Sequence, residues 1–336
     1  MIDRGAETVP PERAPADELL LGVDVGGTTT SAGLVSREGH VLVTRSQPTH
    51  GPHGGDAIER LLALVAEVAA LPLARGARIM GVGAGLPGVV DAATGIVGGE
   101  AHHVPELAGA PVARLLAEAV GAPAFVDNDV NAIAVGEWLW GAGRGLRSVV
   151  LLAIGTGVGG GIILEGRLHR GAGGFGGELG HVPVALHGRP CICGARGCLK
   201  AYVAGPDLAA EASRRLDRPV DAAMLFDLAA RGDATAEAVL DEATDALAAG
   251  LAIVVNGLNP ERLLLVGSVS RAFARRESDL RARLARRAYA GALATTHIVF
   301  LDIDKDTTVR GGAGLVLYEL DRTGAPRGWR VANRLP

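Results

Sequence analysis

Twice in 336 residues an apolar run breaks into a glycine and threonine turn and then resumes. The first copy is Leu19-Leu-Leu-Gly-Val-Asp24-Val25, the turn Gly26-Gly27-Thr28-Thr29-Thr30, and an apolar return through Leu34-Val35. In the second, Val149 to Ile154 leads into Gly155-Thr156-Gly157-Val158-Gly159-Gly160-Gly161, and Ile162-Ile163-Leu164 comes back. Short apolar runs bounded by glycine read as buried strands. A repeated strand, turn and strand is the trace that two duplicated lobes facing one cleft would leave. Length agrees, because a chain of this size exceeds a comfortable single core. The expected lobes are residues 19–142 and 143–307, with a helix at 308–320 returning to complete the first. Residues 1–18, rich in Pro, Glu and Ala with no apolar period, read as a disordered leader.

Glycine turns let backbone amides approach an anion with no side chain in the way. A glycine hairpin with no ligand would read the same from one turn alone. Asp24 adds information: a carboxylate at a strand end beside a phosphate-accepting turn is placed to hold hydrated Mg²⁺. Between the two turns lies Asp127-Asn128-Asp129-Val130-Asn131, directly after the apolar strand Ala124-Phe125-Val126 and before a helix expected at 132–140. Strand carboxyl ends are where α/β sheets place ligands. Asp127 or Asn131 could serve only to cap that helix. Two glycine turns with an acid between them argue for a nucleotide held across a hinge.

All three cysteines, Cys191, Cys193 and Cys198, fall within eight positions, and His181 stands ten residues ahead of the first. Three thiolates and one imidazole make a closed tetrahedral zinc site with no position for water, which is a structural arrangement. Three cysteines cannot all pair as disulfides, and free thiolates suit a reducing compartment. The plainer alternative is that small cysteines simply line a tight turn.

Glu178-Leu-Gly-His181 followed by Cys191-x-Cys193-Gly-x-x-Gly-Cys198 resembles the signature of the ROK family, which comprises bacterial sugar kinases and sugar-responsive repressors. The first glycine turn resembles the first phosphate motif of the actin and hexokinase superfamily. The resemblance covers Leu19 to about Leu320. It implies an α/β, two-lobed actin/hexokinase-like (ribonuclease H-like) fold with a central cleft. It also implies an ATP-dependent kinase acting on a hydroxyl, the 6-OH, of a hexose or hexose-like ring, with ATP and Mg²⁺ as cofactors, structural Zn²⁺ and a homodimer.

Residue by residue, Asn128-Asp129 matches the family dipeptide in which Asp129 is the catalytic base and Asn128 fixes a sugar hydroxyl. Transfer from ATP to an alcohol needs such a carboxylate within reach of the hydroxyl proton. Glu178 takes the role of hydrogen-bonding sugar hydroxyls, and His181 of ligating zinc while touching sugar. Gly88, after Pro87, matches a loop close to the sugar. Gly26, Gly27, Thr28, Gly155, Thr156 and Gly157 fall to the phosphates, and Gly267 to the adenosine side, where Ser268 replaces a usual glycine. The departure is Lys200, where the family pattern Gly-Cys-x-Glu ends in a carboxylate. An ammonium reverses both charge and hydrogen-bond direction. A C7-cyclitol whose ketone offers Lys200 an acceptor is therefore an alternative substrate, and a catalytically silent sugar-binding regulator is a third reading.

His102 and His103 read as solvated loop residues or as a substrate contact. Asp302-Ile-Asp-Lys305-Asp reads as a solvated charged turn without chemistry. A formal charge of −4 with no basic stripe argues against nucleic acid. Eighteen residues before the first strand are too few for a helix-turn-helix head. Nor is there a signal-peptide core or an apolar run of membrane-spanning length, so a cytoplasmic protein with a small-molecule partner is expected.

Overall fold

The computed structural model describes residues 18–99, 101 and 103–322. The expected leader and His102 lie outside these residues, except for Glu18, with which the first strand begins. Strands β1 (Glu18–Val25), β2 (Thr29–Ser36), β3 (Val41–Pro48), β4 (Arg78–Leu86) and, after the small hairpin β5 (Val90–Asp91) and β6 (Ile96–Val97), β7 (Ala124–Asn128) build one sheet. Its order is β3-β2-β1-β4-β7. A second sheet has the order β10-β9-β8-β11-β12, from β8 (Val149–Ile154), β9 (Val158–Leu164), β10 (Arg167–Leu168), β11 (Arg262–Val266) and β12 (His297–Phe300). Both sheets follow one plan. An antiparallel meander, β1-β2-β3 or β8-β9-β10, is extended on the far side by two parallel strands. The duplicated apolar runs are thus the equivalent first strands of two equivalent sheets.

Seven of the eight residues of β1 are buried, as expected of a central strand covered on both faces. Its side chains alternate between two cores. Leu19, Leu21 and Val23 point to a core shared with α1 (Ala57–Ala69) and α2 (Val112–Val120), while Leu20 joins a different cluster. That second cluster contains Val149, Leu151 and Leu264 of the other sheet, together with α3 (Asp129–Trp140) and α11 (Lys305–Arg322). The two sheets are therefore joined by one core in which α3 and α11 are the filling. A third core packs α4 (Lys200–Val203), α5 (Gly205–Leu216), α6 (Ala222–Ala230), α7 (Ala234–Leu258), α8 (Ser268–Phe273) and α9 (Glu277–Ala285) against the far face of the second sheet. The short α10 (Ala290–Thr295) precedes β12.

Two local expectations are corrected. Helix α3 starts at Asp129 rather than Ala132, because Asn128 is the cap: its side chain accepts from the amides of Val130 at 2.9 Å and Asn131 at 3.3 Å. After β11 the chain enters α8 directly at Ser268. The charged stretch 302–306 is solvated as expected, but it is not all turn. Helix α11 begins within it at Lys305, and Asp304 accepts from the Thr307 amide at 2.8 Å at its start. Among the described residues no helix is long and apolar enough to cross a membrane.

Helix α11 lies on the first sheet backbone to backbone. A Cβ on Gly22 would come 1.9 Å from the Val309 carbonyl oxygen, and one on Gly83 would come 1.9 Å from that of Gly312. Overpacking costs about 1–3 kcal/mol where neighbours can yield, and here the neighbour is main chain. Gly83→Ala is expected to lose at least that much in chemical denaturation. Gly257→Ala, in α7 with open space around it, should be neutral or stabilising by up to about 1 kcal/mol.

Candidate active site

The carboxyl ends of β4, β7, β8 and β11 open onto one cavity of about 470 Å³. The first sheet contributes Pro87, Gly88, Asn128 and Asp129 to its wall; the second contributes Gly155, Thr156, Gly157 and Gly267. A third side is the loop after β10, through Gly174, Gly176, Gly177 and Glu178. No Lys or Arg lines the cavity among the described residues.

Asp129 is held by its position as the first residue of α3. Gly85, beside Asp127 in the sheet register, leaves it room: a Cβ there would stand 3.0 Å from the Asp129 Cα. Burial and the nearby Asp24 carboxylate push the Asp129 carboxyl up to about 7. Asn128 is fixed by the helix cap at one end and donates its Nδ2–H to the Gly88 carbonyl at 3.1 Å at the other. Gly88 has φ +88°, a conformation that glycine adopts without strain. Asp127, which sequence reading left as a possible helix cap, caps nothing. It accepts from Asn131 Nδ2 at 2.8 Å and from Arg170 Nε at 2.6 Å.

The second glycine turn closes through the Gly155 amide and the Gly157 carbonyl at 3.0 Å, and the Gly205 amide donates to Gly155 at 2.8 Å. Gly267, at φ +101°, passes so near β8 that a Cβ would lie 2.5 Å from the Ile154 carbonyl oxygen. The first glycine turn stands behind the wall. Gly26, Gly27 and Thr28 do not line the cavity, and His103, which does, covers Gly27. Thr49 pins this turn, donating its hydroxyl to the Gly26 carbonyl at 2.6 Å. Asp24, 9% exposed at the end of β1, also lies outside the lining, and Lys305 Nζ stands 3.2 Å from its carboxylate.

His181 follows Glu178 by one short helical turn. Its Nδ1 is 3.5 Å from Cys191 Sγ, and Nε2 is 4.0 Å from the Glu178 carboxylate. One ligand atom from each of His181, Cys191, Cys193 and Cys198 falls within 4.8 Å of the others. Neither His181 nor Lys200 lines the cavity. The Lys200 ammonium instead donates to Asp207 of α5 at 2.6 Å.

Sequence reading missed Lys305 at Asp24 and Arg170 at Asp127. One signal was present: only two of the 33 basic residues are lysine, and each holds a carboxylate. Arg170 had the weaker signal of standing directly before a glycine run.

Residues 20–319 match the family model described as ROK family. A Thermotoga maritima protein named glucokinase is 35% identical over 317 residues, covering 88% of this chain and 96% of the relative. Among solved structures, a ROK hexokinase from Thermus thermophilus superposes with a TM-score of 0.78 at 32% identity, covering 90% of this chain and 99% of that one. A ROK family glucokinase from Streptomyces griseus, solved with glucose and AMPPNP, gives 0.69 at 28% identity, covering 88% and 98%. With the family match spanning nearly all of the described residues, the chain belongs to the ROK family and has its actin/hexokinase-like fold.

Proposed function

We propose that this protein is an ATP-dependent kinase that phosphorylates a hydroxyl, the 6-OH, of a hexose or hexose-like ring, with Asp129 as general base. The observation that carries the reading is the half-buried Asp129 carboxyl, pushed up to about 7, in a cavity walled on one side by a glycine turn and on another by Glu178. A base whose pKa lies near neutrality combines a useful deprotonated fraction with basicity. The relatives named glucokinase support the hexose, and the Streptomyces griseus enzyme solved with glucose and AMPPNP supports a sugar and a nucleotide in one cleft.

In this reading Asn128 and Glu178 orient the ring by hydrogen bonds, and Gly88 lets the backbone close over it. Gly155, Thr156, Gly157 and Gly267 seat the nucleotide, with Gly26, Gly27 and Thr28 on the opposite side. Amide-bearing turns without side chains suit phosphates, and the Asp24 carboxylate, which faces Lys305 at 3.2 Å, would be the oxygen ligand for a magnesium nucleotide once exchanged from that ammonium. When bound, Mg²⁺ would supply neutralisation of phosphate charge. Asp129 accepts the hydroxyl proton as the oxygen gains its phosphoryl group.

His181, Cys191, Cys193 and Cys198 fit Zn²⁺ by donor chemistry and mutual closeness. With Nδ1 turned to the sulfurs, His181 keeps Nε2 for Glu178 and the sugar side. Zinc would stiffen the loop that carries Glu178. A cyclitol ketone read by Lys200 has less support, because that ammonium is already engaged by Asp207. A cytoplasmic homodimer without a nucleic-acid partner belongs to the same proposal.

ADP release with ATP, Mg²⁺ and a panel of hexoses, amino sugars and cyclitol ketones tests the reaction. Hexoses are expected to turn over fastest, and Lys200→Glu should leave that order unchanged. A cyclitol ketone as best substrate would reverse the assignment, and no turnover with any sugar would leave a silent binder. Asp129→Asn should lower kcat by about 10²–10⁴-fold with sugar binding retained, measured by calorimetry. Metal analysis is expected to find one zinc per chain. Cys193→Ser should lose it, with a lower Tm and a raised sugar KM.

A further inference from the structure

Arg170 is the residue that ties the two sheets together at the reacting end of the cleft. It follows β10 of the second sheet, yet its guanidinium lies against the first. Nε donates to Asp127 at 2.6 Å and an Nη donates to Glu319 of α11 at 2.6 Å. Its side chain is 21% exposed, that of Asp127 2% and that of Glu319 7%. The guanidinium also stands 5.6 Å over the ring of Tyr318, whose hydroxyl accepts from the Leu168 amide of β10 at 2.9 Å. A planar fork with two buried carboxylates in fixed places leaves Arg170 little freedom to move.

What it holds in place lies on both sides of the cavity. Asp127 accepts from the amide of Asn128 at 2.8 Å, one residue before Asp129. On the other side, Arg170 opens the loop 171–177, which has five glycines and whose largest side chain, Phe175, is 54% exposed. That loop has no buried side chain of its own to fix it. It is fastened by backbone at its end, where a Cβ on Gly177 would come 2.1 Å from the Gly160 carbonyl oxygen. At its start the Gly176 amide donates to the Arg170 carbonyl at 2.7 Å. Glu178 and the glycines before it form one cavity wall, and Asn128 and Asp129 form another.

We propose that Arg170 is a positioning residue that, through Asp127 and Glu319, fixes the distance between the glycine loop at 171–177 and the strand end bearing Asp129. This rests on the kinase reading for its effect on turnover, and on the fold alone for its effect on the loop. Replacing Arg170 removes the side-chain anchor of the residue that begins the loop and takes from Asp127 and Glu319 the cation they share, while Glu319 keeps Arg322 at 2.7 Å. The sugar wall and the base then no longer keep one spacing, whereas the nucleotide turn at 155–157 makes no contact with Arg170 and keeps its own bonds.

The test compares wild type with Arg170→Lys, Arg170→Met and the triple variant Arg170→Met, Asp127→Asn, Glu319→Gln, which removes the guanidinium and both carboxylates it bridges, so that charge imbalance is separated from loss of the bridge. Hydrogen exchange read on residues 171–177 is expected to quicken at least ten-fold in Arg170→Met and in the triple variant, with β8 unchanged. Steady-state kinetics should show the sugar KM raised at least ten-fold, the ATP KM within about twofold, and Arg170→Lys intermediate because an ammonium lacks the fork. Unchanged exchange in the loop would overturn the proposal. So would equal rises in both KM values, or a fall in Tm with the kinetic constants of the folded enzyme intact. If wild type phosphorylates no sugar, it is the kinase reading that fails, and the exchange arm still decides the role of Arg170.

Discussion

Everything in this molecule is arranged around two helices that must touch two sheets at once. Helices α3 and α11 fill the core between the sheets, and the contacts are made where side chains are missing. Gly22 and Gly83 bring β1 and β4 onto the α11 backbone, Gly159 and Gly161 bring β9 onto Val130 and Ala134 of α3, and Gly136 meets Gly311 where the helices cross. Direct backbone packing leaves no flexible group to absorb a shift, so the sheets are held in a narrow range of relative positions. That rigidity lets Asn128 and Asp129 rest at a strand end rather than on a mobile loop.

Three aspartates stand at the carboxyl ends of two strands of the first sheet, Asp24 on β1 and Asp127 and Asp129 at the end of β7, and the structure treats each differently. Asp127 takes the guanidinium of Arg170, Asp24 takes the ammonium of Lys305, and Asp129 faces the cavity with no Lys or Arg in the lining. Burial and the charge of Asp24 therefore act on Asp129 unopposed by a nearby cation, and its carboxyl rises. One residue type yields a structural anchor, a cation site and a titratable acid, according to the partner each is given.

Much of this was legible because the relevant signals were local. The apolar runs at Leu19 and Val149, the glycine turns and the Cys-x-Cys spacing each identify themselves within a dozen residues. What was not legible depended on partners far away in the chain. Lys305 meets Asp24 across 281 positions, and nothing in a charged turn says that it will enter a helix and reach a strand end. Arg170 likewise takes its meaning from Glu319, 149 positions on. Lys200 was legible as unusual but not in its effect, since Asp207 lies on the next helix and only folding turns the ammonium toward it.

The place of α11 in the chain order has a bearing on how the molecule forms. The strands of the first sheet are complete by Asn128, but the helix that covers Gly22 and Gly83 begins at Lys305, after the whole second sheet has been synthesised. During synthesis the first sheet therefore keeps that face bare until α11 is made, and the second sheet, covered on one face by α4 to α9, shares the wait on the other. The joint between the two sheets thus closes only when the C-terminal helix has been made.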